Sequence, residues 1–447
     1  LRGTGGSSQV EVNAYGRMIR ELSRREGQPG AEVMLTIDVG LQEYIAKRLG
    51  EESASVVVMD VRNGDILSMV SNPSFDSNDF NRGLSNDLWK SLVNDERAPL
   101  INKSIAGMYS PGSTFKMVVL LAALEKGVIN ADHKIHCNGE YKLGNATFHC
   151  WKRHGHGSVD AKEAIAQSCD VYFYEIAKRT GIDRIAAMAK KFGFDAPTGV
   201  DLPGERGGLM PTRDWKRMKH DEPWHQGETV ISGIGQGFIL TTPLQLALMT
   251  SRIANGGLAV VPHLTRAVGG NSTPTVIPGT QNSLNIPPRH MDLVQQGMDA
   301  VMNGPRGTAR RSATKIDGFD MAGKTGTVQV RRITKAEREA GVRKNKDLPW
   351  KFRDHALFVG YAPVENPRYA VSVVVEHGGG GSSVAAPIAR DVLIEAHRRG
   401  SAGPGALVAS PSANEKRQET KEVDPNAELF SVNGFLKIGV DLSSSVI

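Results

Sequence analysis

The chain predicts an α+β protein with a central antiparallel sheet, flanking helices and an inserted helical lobe. Three observations carry this. Ser55 to Val61 is a β-branched run followed by Asn63-Gly64 and the apolar Ile66 to Val70, which is the pattern of a hairpin. Ala356 to Tyr361 and Tyr369 to Val375 are two more strand-like runs, separated by Pro363 and Asn366-Pro367. The stretch from about Asn72 to Arg310 reads as mainly helical and irregular. A sheet contributed from both ends of a domain around a helical middle is an α+β arrangement.

Each element follows in order. Residues 1–35 are rich in Gly, Ser and Arg, with a strand-like Val10-Glu11-Val12-Asn13, and hold too little apolar surface for a core of their own. Thr36-Ile37-Asp38 opens an amphipathic helix with Leu41, Tyr44, Ile45 and Leu49 at helical spacing. Met117 to Leu124 is a strongly apolar helix, and Val384 to His397 a closing one. Residues 36–400 then form one domain, and 401–447, rich in Ser, Pro, Ala, Glu and Lys, a flexible tail.

The chain has 447 residues and a formal charge of +6, with the composition of an ordinary globular protein. That charge is not gathered into the basic face that nucleic acid requires, so no nucleic-acid partner is expected. No stretch reaches the ~18 apolar residues of a membrane helix. The first residue is Leu1 rather than Met, and the chain opens inside a polar segment. It is therefore expected to be a piece of a longer protein.

Three short motifs carry chemistry. Ser113 and Lys116 stand one helical turn apart at the start of the apolar helix, in Ser110-Pro111-Gly112-Ser113-Thr114-Phe115-Lys116. A serine hydroxyl needs a neighbouring base to become a nucleophile, and a lysine supplies one when burial and nearby cations lower its pKa. Ser168-Cys169-Asp170 and Lys324-Thr325-Gly326-Thr327 follow. Each motif alone is weak; the order Ser-x-x-Lys, Ser-x-Asn/Asp, Lys-Thr-Gly is the signature of penicillin-interacting serine enzymes. Ser113 is then the nucleophile and Lys116 its base. Ser168 relays a proton to the leaving amine, and Asp170 orients Lys116. Lys324 supplies positive charge to a substrate carboxylate and helps hold Lys116 neutral, while Thr325 and Thr327 hydrogen-bond that carboxylate. Gly326 is expected to leave room for substrate along an edge strand, and the Ser113 and Thr327 N–H groups to form an oxyanion hole.

Cys137, Cys150 and Cys169 are the only cysteines and fall within 33 residues, with His149, His154 and His156 among them. Buried free thiols, or one disulfide and a leftover thiol, are the plain readings. Three thiolates and an imidazole are also the donor set of a closed tetrahedral zinc site, although the intervals Cys137-x12-Cys150-x5-His156-x12-Cys169 are not those of a zinc finger.

With these motifs in place the chain resembles the class B penicillin-binding proteins, most of all penicillin-binding protein 2 of the rod-shape (elongation) system. Thr36-Ile37-Asp38 with Leu41-Gln42, the loop Thr198-Gly199-Val200-Asp201-Leu202-Pro203-Gly204-Glu205, and Gly235-Gln236-Gly237 with Thr242-Pro243-Leu244-Gln245 are similar to that family, as is aspartate at position 170. The resemblance covers roughly residues 8–400. It implies the penicillin-binding transpeptidase fold and cross-linking of peptidoglycan stem peptides through a serine acyl-enzyme, with no cofactor needed for acyl transfer. It implies acylation by β-lactam antibiotics and a periplasmic catalytic domain whose inner-membrane anchor lies outside this chain. A membrane glycan polymerase and other elongation-complex proteins are implied partners, and residues 1–35 would end a pedestal domain. The resemblance also implies a zinc near the active site, with His156, between Gly155 and Gly157, as the histidine and His149 and His154 as alternatives; four protein ligands leave no open position for water, so its role is structural. A β-lactamase, a carboxypeptidase or a non-catalytic penicillin-sensing module share the motifs and remain the alternatives.

Overall fold

A five-stranded sheet is assembled from the two ends of its domain. In this computed structural model, which describes residues 3–269, 282–331, 333–334, 337 and 340–401, the chain divides into two units. Of the described residues, the larger comprises 37–264 and those from 282 to 401, and it holds the sheet.

The strands of that sheet are β4 (Ala54–Asp60), β5 (Ile66–Asn72), β11 (Ala322–Val328), β12 (His355–Ala362) and β13 (Tyr369–Val375), counting all strands along the chain. Their order is β11-β12-β13-β4-β5, and every neighbouring pair is antiparallel. β4 and β5 form the expected hairpin around Asn63-Gly64, with Gly64 at φ +89°. Every residue of β4 and β13 is buried, which explains their near-continuous apolar runs, broken by Ser55, Asp60 and Ser372: both faces of the sheet are covered. Alternate side chains go to opposite cores. Val57 and Met59 join Leu244, Ala247 and Leu248 of the helix Pro243–Ala254. Val56 and Val58 belong to the larger core, with Leu41 and Ile45 of the helix Val39–Leu49 and Val392 and Leu393 of the helix Ala386–Ser401. Asp38 caps the first of these helices by accepting from Leu41 N at 2.9 Å.

The apolar segment after Ser113 is a helix, Lys116–Glu125, in which every residue from Lys116 to Leu124 is buried. A helix apolar all round belongs inside a core. It is preceded by a tight 3-10 turn, Gly112–Phe115, which carries Ser113.

The middle of the chain differs from its expected helical character in one region. Four short strands, β6 (Ile135–Cys137), β7 (Glu140–Leu143), β8 (Ala146–His149) and β9 (Gly157–Val159), form two small antiparallel pairs, β6-β9 and β7-β8. Strands of three or four residues are too short to print a readable alternation.

The smaller unit also departs from expectation. It contains a ribbon of β1 (Ser7–Val12) and β2 (Met18–Arg25), nearly all exposed, and a pair formed by β3 (Val33–Leu35) with β10 (Thr265–Val268). It is therefore not a simple N-terminal piece: the chain returns to it after Leu264, because β3 draws its backbone partner from far along the sequence. The tail assigned to 401–447 lies, beyond Ser401, outside the described residues. Among the described residues no helix is long and apolar enough to cross a membrane.

Candidate active site

The three motifs come from three separate elements and meet at the amino end of the Lys116–Glu125 helix. Ser113 is half-buried on the 3-10 turn, and its hydroxyl makes no hydrogen bond among the described residues. The Lys116 N–H donates to Ser113 O, so the two residues stand one turn apart as the spacing requires. Lys116 is fully buried. Its Nζ donates to Asp170 Oδ1 at 2.7 Å, to Ser168 O at 3.0 Å and to Ser168 Oγ at 3.1 Å. Those contacts use all three donors of an ammonium.

Ser168 has φ +55°, a left-handed conformation that costs a non-glycine residue about 1–3 kcal/mol. It turns the carbonyl and hydroxyl of one residue toward the same amine. Asp170, at the start of the helix Asp170–Thr180, spends its other oxygen on the Trp151 N–H at 2.9 Å.

Lys324 lies on β11, which is an edge strand as expected. Its amine is wholly buried and donates to Thr325 O at 3.0 Å, and no carboxylate among the described residues pairs with it. Burial holds its pKa well below the ordinary lysine value; the Lys116 charge lowers it further, and Asp170 opposes both. Thr325 is buried, its hydroxyl 2.9 Å from that of Thr308. Thr327 is exposed, and its hydroxyl accepts from Gly381 N at 3.2 Å.

Gly326 corrects the expectation placed on it. A Cβ there would lie 3.0 Å from Leu357 Cβ and 3.1 Å from Thr114 Cγ2, so the missing side chain lets the 3-10 turn and β12 close on the strand rather than opening room for substrate. Gly235 works the same way from the other side. Its carbonyl accepts from Gly112 N at 2.8 Å, and a Cβ on it would stand 2.1 Å from Gly112 O. The Gly235-Gln236-Gly237 loop thus backs the turn that carries Ser113. The other family-like runs are structural: Glu205 accepts from Thr198 N at 2.7 Å, and the Gln245 carboxamide donates to Gly193 O, Ala196 O and Gly207 O.

The small strands bring the thiols together. Cys137 ends β6, Cys150 follows β8, His156 precedes β9, and Cys169 caps the helix that Asp170 begins. One donor atom from each of the four lies within 4.8 Å of all the others, and all four residues are buried. His156 Nδ1 is 3.6 Å from Cys137 Sγ and 3.5 Å from Cys150 Sγ. Bonds of about 2.3 Å to sulfur and about 2.0–2.1 Å to nitrogen, at tetrahedral angles, put S and N about 3.5 Å apart. The donor set and spacing fit a tetrahedral zinc. The three thiols are unpaired rather than disulfide-bonded. Hydrogen bonding from Cys169 lowers the Cys150 thiol and correspondingly raises that of Cys169. His149 and His154 are not among the four.

Trp151 is the site residue that sequence reasoning misses. A backbone N–H that holds a carboxylate leaves no signature in a sequence; adjacency to Cys150 is the one available hint.

A free serine hydroxyl one turn from a buried lysine, with a second serine and an acid on that lysine, defines a serine acyl-transfer site. The penicillin-binding protein transpeptidase domain matches residues 54–394, and the chain belongs to that family. Peptidoglycan D,D-transpeptidase MrdA of Haemophilus influenzae is 40% identical over 399 residues, 88% of this chain and 60% of that protein. The MrdA of Escherichia coli K12 is 38% identical over 86% of this chain and 60% of its own length. The chain thus spans about 60% of the length of these curated relatives. Among solved structures, Pseudomonas aeruginosa PBP2 in complex with WCK 5153 is 39% identical with a TM-score of 0.74, covering 83% of this chain and 79% of that one. Helicobacter pylori PBP2 in complex with MreC is 32% identical with a TM-score of 0.75, covering 89% and 70%. The likeness to class B penicillin-binding proteins of the PBP2/MrdA branch therefore runs through most of the chain.

Proposed function

We propose that this chain is the catalytic part of a peptidoglycan D,D-transpeptidase of cell-wall elongation. The observation that carries the reading is Lys116, held by Ser168 and Asp170 one turn from an unbonded Ser113 hydroxyl. Ser113 Oγ attacks the carbonyl of the D-Ala–D-Ala bond of a stem peptide. As the new bond forms, its proton passes to Lys116 while Lys116 passes one of its own through Ser168 Oγ to the departing nitrogen. The peptide C–N bond breaks, and D-Ala leaves with the relayed proton on its amine. An amine of a neighbouring stem peptide then attacks the ester, gives up a proton by the same route and restores Ser113. Lys324 has no internal carboxylate; the substrate carboxylate supplies one, which favours its charged form. A β-lactam follows the first half of this path and stops at the ester.

The resemblance supports a periplasmic domain belonging to an inner-membrane protein, working with a membrane glycan polymerase and elongation-complex proteins. Intact mass after penicillin treatment tests the enzymatic reading. One long-lived adduct is expected, absent in Ser113→Ala. An adduct that persists in the variant ends the assignment, and rapid turnover of the adduct turns it to a β-lactamase.

Cys137, Cys150, His156 and Cys169 are proposed to hold one structural zinc. Four protein ligands leave no open position for water, so the metal supplies no chemistry to acyl transfer. It would anchor the middle motif from within, through Cys169, and, through Cys150, the neighbouring Trp151 backbone that holds Asp170. Cys137→Ser, the ligand farthest in sequence from that motif, is expected to lower zinc content, thermal stability and acylation rate together. Metal analysis of a fully stable, fully active Cys137→Ser protein would reduce the cluster to ordinary thiols.

A further inference from the structure

We infer that Trp151 is a positioning residue for the acyl transfer, acting through the indole N–H rather than by touching substrate. The inference rests on the reading of Ser113, Lys116 and Ser168 given above. Trp151 is 61% exposed, so its ring has water available on most of its surface. Its Nε1–H is nevertheless spent inward, shared between Gln167 O and Ser168 O at 3.1 Å each. An exposed indole has no need of an internal acceptor, since water satisfies it at almost no cost.

What the indole holds is the strained residue of the site. Ser168 stays at φ +55° only because its surroundings over-determine it. Its N–H is tied to Ile165 O at 3.1 Å, and its carbonyl takes the Lys116 amine on one side and the Trp151 indole on the other. Rotating the 168–169 peptide toward an ordinary conformation would swing that carbonyl away from both donors. The backbone N–H of Trp151 holds Asp170 Oδ2, leaving Oδ1 for Lys116. Trp151 therefore fixes both polar residues of the middle motif, and those two hold the Lys116 amine. The indole N–H is the part that a side-chain change removes cleanly; the backbone N–H stays in every variant.

The test separates noncovalent binding of penicillin from the rate of the covalent step, in the zinc-loaded protein. The variants are Trp151→Phe and the protein carrying β-(3-benzothienyl)alanine at position 151, an isostere in which sulfur replaces the N–H. One hydrogen bond's worth of positioning predicts an acylation rate about five- to tenfold lower in both, with binding and zinc content unchanged and the melting temperature lowered by at most about a few degrees. An unchanged acylation rate overturns the inference. Weaker binding with an unchanged rate also overturns it, because Trp151 is then a ligand contact. A loss of zinc would assign the effect to the cysteine cluster and overturn it too. The benzothienyl protein keeps the test decisive even if Trp151→Phe folds poorly. Failure of the unsubstituted chain to form a Ser113 adduct would instead defeat the functional reading, so the two failures are distinct.

Discussion

Lys116 on the helix side of the site and Lys324 on the strand side are both completely buried, yet they are held in opposite ways. Lys116 has a carboxylate at 2.7 Å and two further acceptors on Ser168. Lys324 has one backbone carbonyl, from its own neighbour, and the positive charge of Lys116 nearby. The first is an ion pair the fold has completed. The second is an amine the fold leaves without a counter-charge, and burial pushes it toward its neutral form. On the proposed function, the difference teaches where substrate charge would be read: on the strand side, where no anion among the described residues pairs with the amine.

The comparison breaks most visibly in the rate of acylation. Lys116→Met removes the base, and proton transfer by a positioned group is worth about 10²–10⁴-fold. Acylation by penicillin should fall by that order. Lys324→Met removes recognition of a carboxylate and should cost less, chiefly in binding. Stopped-flow or quenched acylation of both variants decides it. Equal losses would mean that the two lysines share one role, and the contrast drawn here would fail.

Stability sharpens the same contrast, with opposite signs. Lys116→Met strands the Asp170 carboxylate beside an apolar side chain, and breaking a buried pair costs about 3–5 kcal/mol. Lys324→Met strands no charge and should be neutral or stabilising. The pH dependence follows from the depressed Lys324 pKa. An unfolded lysine keeps its proton up to about pH 10.4, whereas the folded one releases it earlier. Between those two points the unfolded state binds more protons, so stability of the parent rises with pH. The penalty of burying Lys324 is complete below its folded pKa and gone above about pH 10.4. The advantage of Lys324→Met over the parent should therefore be largest at low pH and shrink toward pH 10 in denaturant unfolding. An advantage that grows with pH would show that Lys324 is stabilised as a cation.

How much of the fold and site is legible in the sequence depends on what each feature is made of. The β4-β5 hairpin, β12, β13 and the closing helix are long or carry turn chemistry such as Asn63-Gly64, and the sequence prints those patterns directly. The candidate catalytic side chains are legible because the proposed chemistry dictates residue type: Ser113, Lys116, Ser168, Asp170 and Lys324 are brought to one place. The four zinc-type donors also converge, although the strands that carry them are too short to foresee. What stays hidden is backbone work. The left-handed Ser168, the Trp151 N–H on Asp170 and the pairing of β3 with β10 all depend on main-chain groups that every residue possesses. Gly326 misleads for a related reason, since a glycine's missing side chain does not say which neighbour needs the space.

The smallest expected effect lies on the strand side, at Thr325. Its hydroxyl pairs with that of Thr308 at 2.9 Å, so it is already engaged when substrate arrives, whereas the Thr327 hydroxyl, which accepts from Gly381 N, is exposed on the same strand and still has its O–H to donate. Thr325→Val keeps the shape and the β-branch and removes one hydrogen bond, worth about 0.5–1.5 kcal/mol net. Against penicillin this predicts acylation efficiency lower by about twofold to tenfold, with the loss in binding rather than in the covalent step. Thr308→Val should do little, because Thr325 is then free to turn its whole hydroxyl to the substrate carboxylate. If the two variants lose activity equally, the pair acts as a unit that holds β11 in place. If Thr325→Val alone is affected, its hydroxyl reads the carboxylate beside Lys324, which is where the comparison of the two lysines places substrate charge.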